Sequence, residues 1–246
     1  MDKELCNILA EMRSSTTTAS PHGEIATCDF HLEDSDLKGN YVYQVYLPPQ
    51  IRTGEELPLI IFLHGIRERG SGGFISGMFA QLVRQYLKAI PAVVLLPQCR
   101  PGKFWSDAQM DRMVAGQIEV VAQALSIDAA RQYLLGVSMG GYGVWHFAAR
   151  YPNKFAALVS ICGGSPFVNG ERFTNLAERI GQTPAWLFHG AQDKIVPVSE
   201  SRQIAAAIRA NQGRVKYSEY ENVGHNVWLN ALGEKDLVPW LLAQRL

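Results

Sequence analysis

The chain has 246 residues, of which 47% are hydrophobic and 19% are charged, and its formal net charge at pH 7 is zero. This length is typical of one large α/β domain, and the hydrophobic fraction excludes a disordered chain. A neutral chain without a basic cluster lacks the surface that binds nucleic acid, so no nucleic-acid partner is expected. A net charge of zero also permits association into a homo-oligomer.

We expect neither a leader peptide nor a membrane span. Its first residues include acidic side chains and no unbroken apolar stretch, unlike a secretory signal. The longest apolar segment, residues 89–97, is far shorter than the ~20 residues of a membrane helix. Four scattered cysteines (Cys6, Cys28, Cys99 and Cys162) have no Cys-X-X-Cys spacing and are typical of buried or free thiols, with a disulfide as the alternative. We therefore expect a cytoplasmic protein without a membrane partner.

From residue 39 onward, short apolar runs alternate with longer segments of helical spacing. This alternation predicts an α/β fold with a mostly parallel central sheet and helices on both faces. Strands are predicted at residues 41–47, 57–64, 92–97, 131–137, 155–161, 184–189 and 215–220, and helices at residues 109–125, 139–150, 199–211 and 235–245. Residues 1–38 are interpreted as an N-terminal arm. It includes an extra strand at 25–32 that pairs antiparallel with 41–47, and residues 39–246 form the main domain.

The most specific motif is Gly136-Val137-Ser138-Met139-Gly140, which lies between a predicted strand and a predicted helix. In that context Gly-X-Ser-X-Gly is typical of a nucleophile elbow. The turn is so sharp that the residues two before and two after the serine must be small. It exposes the Ser138 hydroxyl and directs the Met139 N–H towards the reacting carbon, so we predict Ser138 as a nucleophile.

A serine nucleophile needs a general base and an acid that orients the base. After such an elbow they follow in the order acid, then histidine. His225 lies in a loop between the last predicted strand and the last helix and is the predicted base. Asp193 is the only aspartate between Ser138 and His225, and it follows a predicted strand. It is therefore the predicted acid, with Glu171 and Glu178 as the alternatives.

Three other histidines are given supporting roles. His146 lies within the helix that starts at the elbow, and we interpret it as a residue of the helix face. His189 ends a strand and is expected to support the loop that follows it. His64 directly follows the strand at 57–64 and is expected to orient its loop rather than to take part in the chemistry.

The loop His64-Gly65-Ile66 is the fourth site element. Acyl transfer places negative charge on the carbonyl oxygen, and preorganised N–H groups must stabilise that charge. We predict that the backbone N–H groups of Ile66 and Met139 form this oxyanion hole, with Gly65 allowing the backbone to pass close to the nucleophile.

These motifs resemble those of the α/β-hydrolase family over roughly residues 40–246. Within that family, the chain resembles a compact branch of carboxylesterases and predicted peptidases, which includes polyhydroxyalkanoate-depolymerase-like and feruloyl-esterase-like enzymes. The matching pieces are His64-Gly65, Glu68-Arg69-Gly70, Leu96-Pro97-Gln98-Cys99, Trp105, the elbow, Asp193, Gly224-His225 and Trp228. The resemblance implies that Ser138, Asp193 and His225 are catalytic. It also implies that the amides of Ile66 and Met139 form the oxyanion hole and that residues 39–246 are the catalytic domain.

Arg67 departs from the family pattern, because relatives often have glycine there. It adds a cation near the expected mouth of the site, and we hypothesise that Arg67 or Arg69 favours substrates that carry a carboxylate. Trp105 is the first candidate for substrate contact, with Trp228 beside it. Further apolar candidates near the active edge are Phe74, Met78, Phe79, Phe104 and Phe167.

The predicted function is that of a serine hydrolase that cleaves carboxylic esters of small soluble substrates through an acyl-enzyme. Residues 162–183 leave room for one helix at 171–180, so no large cap domain is expected. No phosphate loop, dinucleotide fingerprint or metal-ligand cluster is apparent, so no cofactor or metal is predicted. A peptidase or thioesterase with the same triad is the alternative, as is a binding protein that keeps the fold without catalysis.

Overall fold

The computed structural model describes residues 23–33, 37–49, 56–72, 86, 90–166 and 172–246. These residues form an open eight-stranded sheet with the order β1-β2-β4-β3-β5-β6-β7-β8. The strands are β1 (Glu24–Leu32), β2 (Gly39–Leu47), β3 (Leu57–Leu63), β4 (Val93–Leu96), β5 (Ile127–Val137), β6 (Ala157–Ile161), β7 (Ala185–Gly190) and β8 (Val215–Tyr220). The predicted mostly parallel sheet is confirmed.

Strand direction changes only at one end of the sheet. β1 pairs antiparallel with β2, and β2 pairs antiparallel with β4. All remaining neighbours, from β4 through β3 to β8, are parallel. β1 lies where the sequence analysis placed an extra strand, whereas residues 1–22 of the expected arm lie outside the described residues.

Helices cover both faces of the sheet, as predicted. The described helices are α1 (Ala108–Leu125), α2 (Met139–Arg150), α3 (Arg172–Ile180), α4 (Ser199–Ala210), α5 (Trp228–Leu232) and α6 (Leu237–Leu242), with a 3₁₀ turn at Ile66–Glu68. One hydrophobic cluster contains buried side chains of α1 to α4, and the other contains those of α5 and α6. Neighbouring residues of a strand alternate between these clusters, as a strand's twofold side-chain period requires.

β3 shows why the central strands read as continuous apolar runs. All seven of its residues are buried. Leu59, Ile61 and Leu63 face the cluster with α1 to α4, while Ile60 and Phe62 face the other. A parallel strand that is covered on both faces has no solvent-exposed face, so its sequence does not alternate between apolar and polar residues.

The largest differences from the sequence expectation are in β5 and in the last predicted helix. β5 begins at Ile127 rather than at residue 131, so its polar first half is also extended. The helix predicted at 235–245 is shorter, at Leu237–Leu242, and a separate short helix, α5, precedes it. Gly233 ends α5 by donating its N–H to Ala231 and Leu229 carbonyl groups.

The parallel strands set the position of the functional loops. β3, β5, β6, β7 and β8 run in the same direction, so the segments that follow them meet at one edge of the sheet, where open α/β sheets bind ligands. In the segment between β6 and β7, the described residues form only one helix, α3, in agreement with a fold without a large cap. Within the described ranges, no helix is long and apolar enough to cross a lipid bilayer.

Candidate active site

Ser138 occupies a strained turn between β5 and α2. Its backbone has φ 55° and ψ −115°, a conformation that non-glycine residues seldom adopt. The crowding explains the two glycines of the motif. A Cβ atom added at Gly136 would lie 2.2 Å from the Gly140 carbonyl oxygen, and one added at Gly140 would lie 1.9 Å from that of Leu63. No side chain larger than hydrogen fits at either position, so the sequence itself enforces the turn.

His225 joins Ser138 to Asp193. Its Nε2 lies 2.9 Å from Ser138 Oγ, and its Nδ1 lies 2.7 Å from Asp193 Oδ2. The His225 side chain keeps 15% of its surface exposed. The structure therefore brings the three predicted triad residues into one hydrogen-bonded chain, although the serine and the histidine are 87 residues apart.

The loops after β7 and β8 hold Asp193 and His225 together. Gln192 donates its N–H to the Val223 carbonyl at 3.0 Å. A Cβ atom at Gly190 would lie 2.3 Å from the carbonyl oxygens of both Val223 and Gly224. This close backbone approach fixes the separation of the carboxylate and the imidazole.

Both oxygens of the Asp193 carboxylate have partners. Oδ1 accepts the N–H groups of Ile195 and Val196 at 2.8 and 2.9 Å, and Oδ2 faces His225. The side chain is completely buried. Of the alternative acids, Glu178 is exposed on α3, and Glu171 lies outside the described residues.

His189 contacts the Asp193 loop and the helix that follows it. It is buried, its Nδ1 lies 2.7 Å from Ser201 Oγ, and its Nε2 donates to the Val196 carbonyl at 3.0 Å. The same Nε2 lies 3.3 Å from Asp193 Oδ2. Burial lowers the pKa of His189, which favours the neutral ring. The α4 residue Ser201 was not identified from the sequence, because its contribution depends on packing between distant segments.

His64 has the corresponding role in the loop after β3. Its Nδ1 donates to the Gly65 carbonyl at 2.7 Å, and its Nε2 accepts the Cys99 N–H at 3.0 Å. The Trp105 indole donates to the His64 carbonyl at 3.0 Å and packs edge-on against its ring. Burial lowers the pKa of His64 to about 4. The ring is therefore neutral near pH 7 and ties together the loops after β3 and β4.

The candidate oxyanion donors border the nucleophile. The N–H of Ser138 itself donates to the Ile161 carbonyl at 2.8 Å, so it is not a candidate oxyanion donor. Met139 is the first residue of α2 and Ile66 the first of the 3₁₀ turn, positions whose N–H groups have no partner within their own helix. A Cβ atom at Gly65 would lie only 3.7 Å from Ser138 Cβ, so the backbone that leads to Ile66 runs alongside the serine.

Cys162 lies below this group, directly after β6. Its Sγ, one oxygen of Asp193 and one ring nitrogen of His225 lie within 4.8 Å of one another. Sulfur, oxygen and imidazole nitrogen are all metal-binding atoms. The sequence shows no such cluster because the three residues are widely separated in the chain.

Residues 106–234, which contain all three triad residues, match the model of the phospholipase/carboxylesterase family of α/β-hydrolases. This match covers more than half of the chain. The chain belongs to this family. No curated protein matches it significantly in sequence.

Solved esterase structures share the fold of this α/β-hydrolase. A thermostable esterase has 28% sequence identity and a TM-score of 0.72, and the match covers 89% of this chain and 63% of that one. A mutant feruloyl esterase module from Clostridium thermocellum, complexed with sinapinate, has 14% identity, a TM-score of 0.74 and coverages of 93% and 91%. A fluorophosphonate-binding serine hydrolase of Staphylococcus aureus has 15% identity, a TM-score of 0.69 and coverages of 89% and 98%. These structures show the fold, and the family match groups the chain with phospholipases and carboxylesterases.

A cleft of about 370 Å³ opens at Ser138. It is lined mainly by apolar side chains: Ile66, Phe104, Trp105, Ser106, Ser138, Met139, Tyr142, Gly143, Ser165, Pro166, Ile195 and Val196. Ile66, Phe104 and Ile195 are each about half exposed or more, at 49%, 52% and 66%. The mouth of the cleft therefore presents apolar surface to solvent.

The predicted substrate-contact residues have different places in the structure. Trp105 lines the cleft but is only 1% exposed, because its indole packs under the His64 loop. Trp228 is not among the described lining residues and packs edge-on against the His225 ring, with centroids 5.9 Å apart. Arg67 is exposed beside the cleft and is likewise not among the lining residues.

Arg69 and Phe104 form a pair at the edge of the cleft. The Arg69 guanidinium lies 4.5 Å from the centroid of the Phe104 ring, within the range of a cation–π interaction. Four of the predicted apolar candidates, Phe74, Met78, Phe79 and Phe167, lie outside the described residues. Two residues that line the cleft, Tyr142 and Ile195, were not predicted from the sequence. Tyr142 lies one helical turn after the nucleophile, a spacing that could have identified it.

Proposed function

We propose that the protein hydrolyses carboxylic esters of small soluble substrates through an acyl-enzyme formed on Ser138. The observation that carries this proposal is the hydrogen-bonded chain from Ser138 Oγ through His225 to the buried Asp193 carboxylate. A hydroxyl, an imidazole and a carboxylate in this order are the groups that activate a serine for attack on a carbonyl carbon.

In the first half of the reaction, His225 Nε2 accepts the hydroxyl proton as Ser138 Oγ attacks the ester carbonyl carbon. His225 Nδ1 donates to Asp193, whose negative charge stabilises the resulting imidazolium. The proton then passes to the departing alcohol oxygen, which leaves an acyl-Ser138 ester. Water repeats the sequence in the second half: His225 removes its proton, the acyl group leaves as a carboxylic acid, and Ser138 recovers its proton.

The tetrahedral intermediate carries a negative oxygen that needs N–H donors already in place. Ile66 and Met139 are suited to this role because both line the cleft beside Ser138 and both begin a helical segment. The buried His64 and Trp105 hold the loop that carries Ile66. Losing one such donor typically costs about 10²–10³ in kcat.

The apolar mouth of the cleft supports an acyl or aryl group on the substrate. Ile66, Phe104 and Ile195 expose apolar surface there, and an ester substituent that covers this surface would gain binding energy from its burial. No described lining residue carries a charge, so the uncharged part of the substrate is expected to fill the cleft.

The direct test is the hydrolysis of p-nitrophenyl esters by the wild type and by Ser138→Ala. We expect turnover by the wild type and none above background by the variant. The matched control is Ser199→Ala, at the exposed start of α4, which should keep wild-type activity. Ester hydrolysis by Ser138→Ala would contradict the assignment, and faster turnover of thioesters or peptide amides than of esters would redirect it to the alternative activities.

Phe104→Ala tests the apolar mouth of the cleft. The half-exposed ring should contribute about 1 kcal/mol to substrate binding, equivalent to about a fivefold rise in KM. That rise should appear for aryl and long-chain acyl esters and be absent for acetate esters, with kcat little changed. An equal effect on every ester would mean that Phe104 acts through the structure of the loop rather than through substrate contact.

A further inference from the structure

Cys162 is placed beneath the triad by the same strand geometry that places Ser138. It directly follows β6, and its backbone has φ 43°. Its N–H donates to the Phe188 carbonyl at 2.8 Å, while the Ser138 N–H donates to the preceding residue, Ile161, at 2.8 Å. Hydrogen bonds to the neighbouring strands β5 and β7 on either side thus fix the cysteine backbone between the nucleophile and the loop of Asp193.

The proposed esterase reaction has no use for this thiol. Cys162 is completely buried, and burial raises the pKa of its thiol, so it is a neutral SH group during catalysis. Yet its Sγ lies within 4.8 Å of both an Asp193 oxygen and a His225 nitrogen. A sulfur, a carboxylate oxygen and an imidazole nitrogen therefore lie within 4.8 Å of one another beside Ser138.

We propose that Cys162, Asp193 and His225 form an inhibitory binding site for a thiophilic divalent metal ion such as Zn²⁺. These three donor types are the ones that zinc prefers, and a three-residue set leaves a fourth position for water. The inhibition rests on the proposed esterase function, whereas metal binding does not depend on it.

The distances fit a site that forms through small side-chain movements. Zinc bonds of about 2.3 Å to sulfur and about 2.0–2.2 Å to nitrogen or oxygen place tetrahedral donor atoms about 3.3–3.6 Å apart. The present separations are at most 4.8 Å, so side-chain adjustments of about an ångström bring the donors to bonding range. The ion displaces the proton of the Cys162 thiol, and this proton leaves to solvent.

Metal binding and catalysis are mutually exclusive in this geometry. If the ion takes His225 Nδ1, it replaces the 2.7 Å hydrogen bond to Asp193. If it takes Nε2, it occupies the lone pair that accepts the Ser138 proton across 2.9 Å. Either arrangement removes the base, so a bound ion must inhibit the enzyme.

The donor set also predicts which ions inhibit. Thiolate and imidazole favour Zn²⁺, Co²⁺ and Cd²⁺, whereas Mg²⁺ prefers an octahedral set of oxygen ligands. Mg²⁺ at the same concentration should therefore leave the activity unchanged.

Cobalt spectroscopy tests the site without relying on activity. The Ser138→Ala protein, with the full chain and no hydrolytic activity expected, is titrated with Co²⁺ while the sulfur-to-cobalt charge-transfer absorption is followed. We expect this absorption to appear with one equivalent of metal. It should disappear in Ser138→Ala/Cys162→Ser and persist in Ser138→Ala/Cys28→Ala, which removes a buried cysteine of β1 at the far edge of the sheet. Absence of the absorption from Ser138→Ala, or its persistence without Cys162, would overturn the proposal.

Zinc inhibition of ester hydrolysis then tests the consequence. Zn²⁺ should inhibit the wild type, and a chelator should restore activity. Loss of a residue that only orients a metal ligand costs about 10–100-fold in metal affinity, so loss of the ligand itself in Cys162→Ser should raise the inhibitory zinc concentration about 100-fold. Cys28→Ala should stay as sensitive as the wild type. Equal zinc sensitivity in all three proteins would overturn the inhibitory role. An ester-inactive wild type that still gives the cobalt absorption would instead contradict the proposed function alone.

Discussion

Two histidines at the same edge of the sheet have opposite surroundings. His64, after β3, is completely buried and bonds to backbone groups, the Gly65 carbonyl and the Cys99 N–H. His225, after β8, keeps 15% of its side chain exposed and bonds to two side chains, a hydroxyl and a carboxylate.

In the proposed mechanism this difference separates a residue that fixes a loop from one that transfers a proton. Burial holds the pKa of His64 at about 4, so its ring stays neutral and its hydrogen bonds stay unchanged near pH 7. In the proposed mechanism His225 receives the Ser138 proton, and the buried Asp193 carboxylate that faces its other nitrogen stabilises the imidazolium. Substitution of His225 should therefore remove activity and preserve stability, whereas substitution of His64 should reduce stability first.

His225→Ala should have the largest effect. Loss of the general base in a serine hydrolase triad lowers kcat by about 10⁵–10⁶-fold, while the midpoint of urea unfolding should change little because the Asp193 carboxylate keeps its bonds to the Ile195 and Val196 N–H groups. The control is His31→Ala, an exposed histidine of β1, which should keep full activity. Residual activity of His225→Ala above a tenth of the wild type would show that another group acts as the base.

His64→Leu should have the opposite profile. The Cys99 N–H loses its acceptor inside the protein, and an unsatisfied buried donor costs about 1–3 kcal/mol of unfolding free energy. Displacement of the Ile66 loop should lower kcat by up to about 10²-fold, far less than loss of His225. Urea unfolding and ester hydrolysis, measured on the same preparation, check both numbers. A variant as inactive as His225→Ala but fully stable would assign His64 to the chemistry.

The pH dependence of stability provides a second contrast. The pKa of His64 falls from the ordinary 6.5 to about 4 on folding, so between these values the unfolded chain binds the proton and the folded protein does not. Stability should consequently decrease as the pH falls from 6.5 to about 4, by on the order of 3 kcal/mol over the whole interval. His189, whose pKa is also lowered by burial, acts with the same sign.

Urea unfolding of the wild type and of His64→Leu at pH values between 7 and 4 measures this contribution. The slope of unfolding free energy against pH should be smaller in the variant, since one of the groups that protonate only on unfolding is gone. Parallel slopes for the two proteins would mean that His64 does not titrate on unfolding in this interval.

Trp105→Phe should give the smallest effect. It removes the indole N–H that binds the His64 carbonyl at 3.0 Å, a hydrogen bond that contributes about 1 kcal/mol to stability. Trp145 is an informative control, because it is equally buried and its indole N–H has no partner within the described part of the chain. Trp105→Phe should therefore destabilise the protein more than Trp145→Phe does. If Trp145→Phe destabilised the protein more, the hydrogen bond of the Trp105 indole would not be what stabilises this loop.

The sequence predicts those features that depend on neighbours along the chain. The crowding at Gly136 and Gly140 is local, so the motif alone indicates the turn at Ser138. The central strands are equally readable, because a strand buried on both faces leaves a continuous apolar run, as at Leu57–Leu63. The parallel sheet then brings the segments that carry Asp193 and His225 to the same edge.

Features that depend on packing between distant segments cannot be predicted from the local sequence. The sequence favoured Trp105 for substrate contact, but it could not show that the loop after β3 packs over the indole, which lines the cleft while only 1% of the residue is exposed. Nor could it show that Trp228 packs against the His225 ring. Cys162 is an isolated cysteine in the sequence, and only the order of β5, β6 and β7 brings it to the triad.

Labelling with a fluorophosphonate probe tests the central assignment most directly, because the reagent forms a covalent bond only with an activated serine. We expect one adduct per chain on the wild type, located by peptide mass spectrometry at Ser138, and almost no labelling of His225→Ala in the same time. An unlabelled wild type, or an adduct on any other serine, would contradict the account.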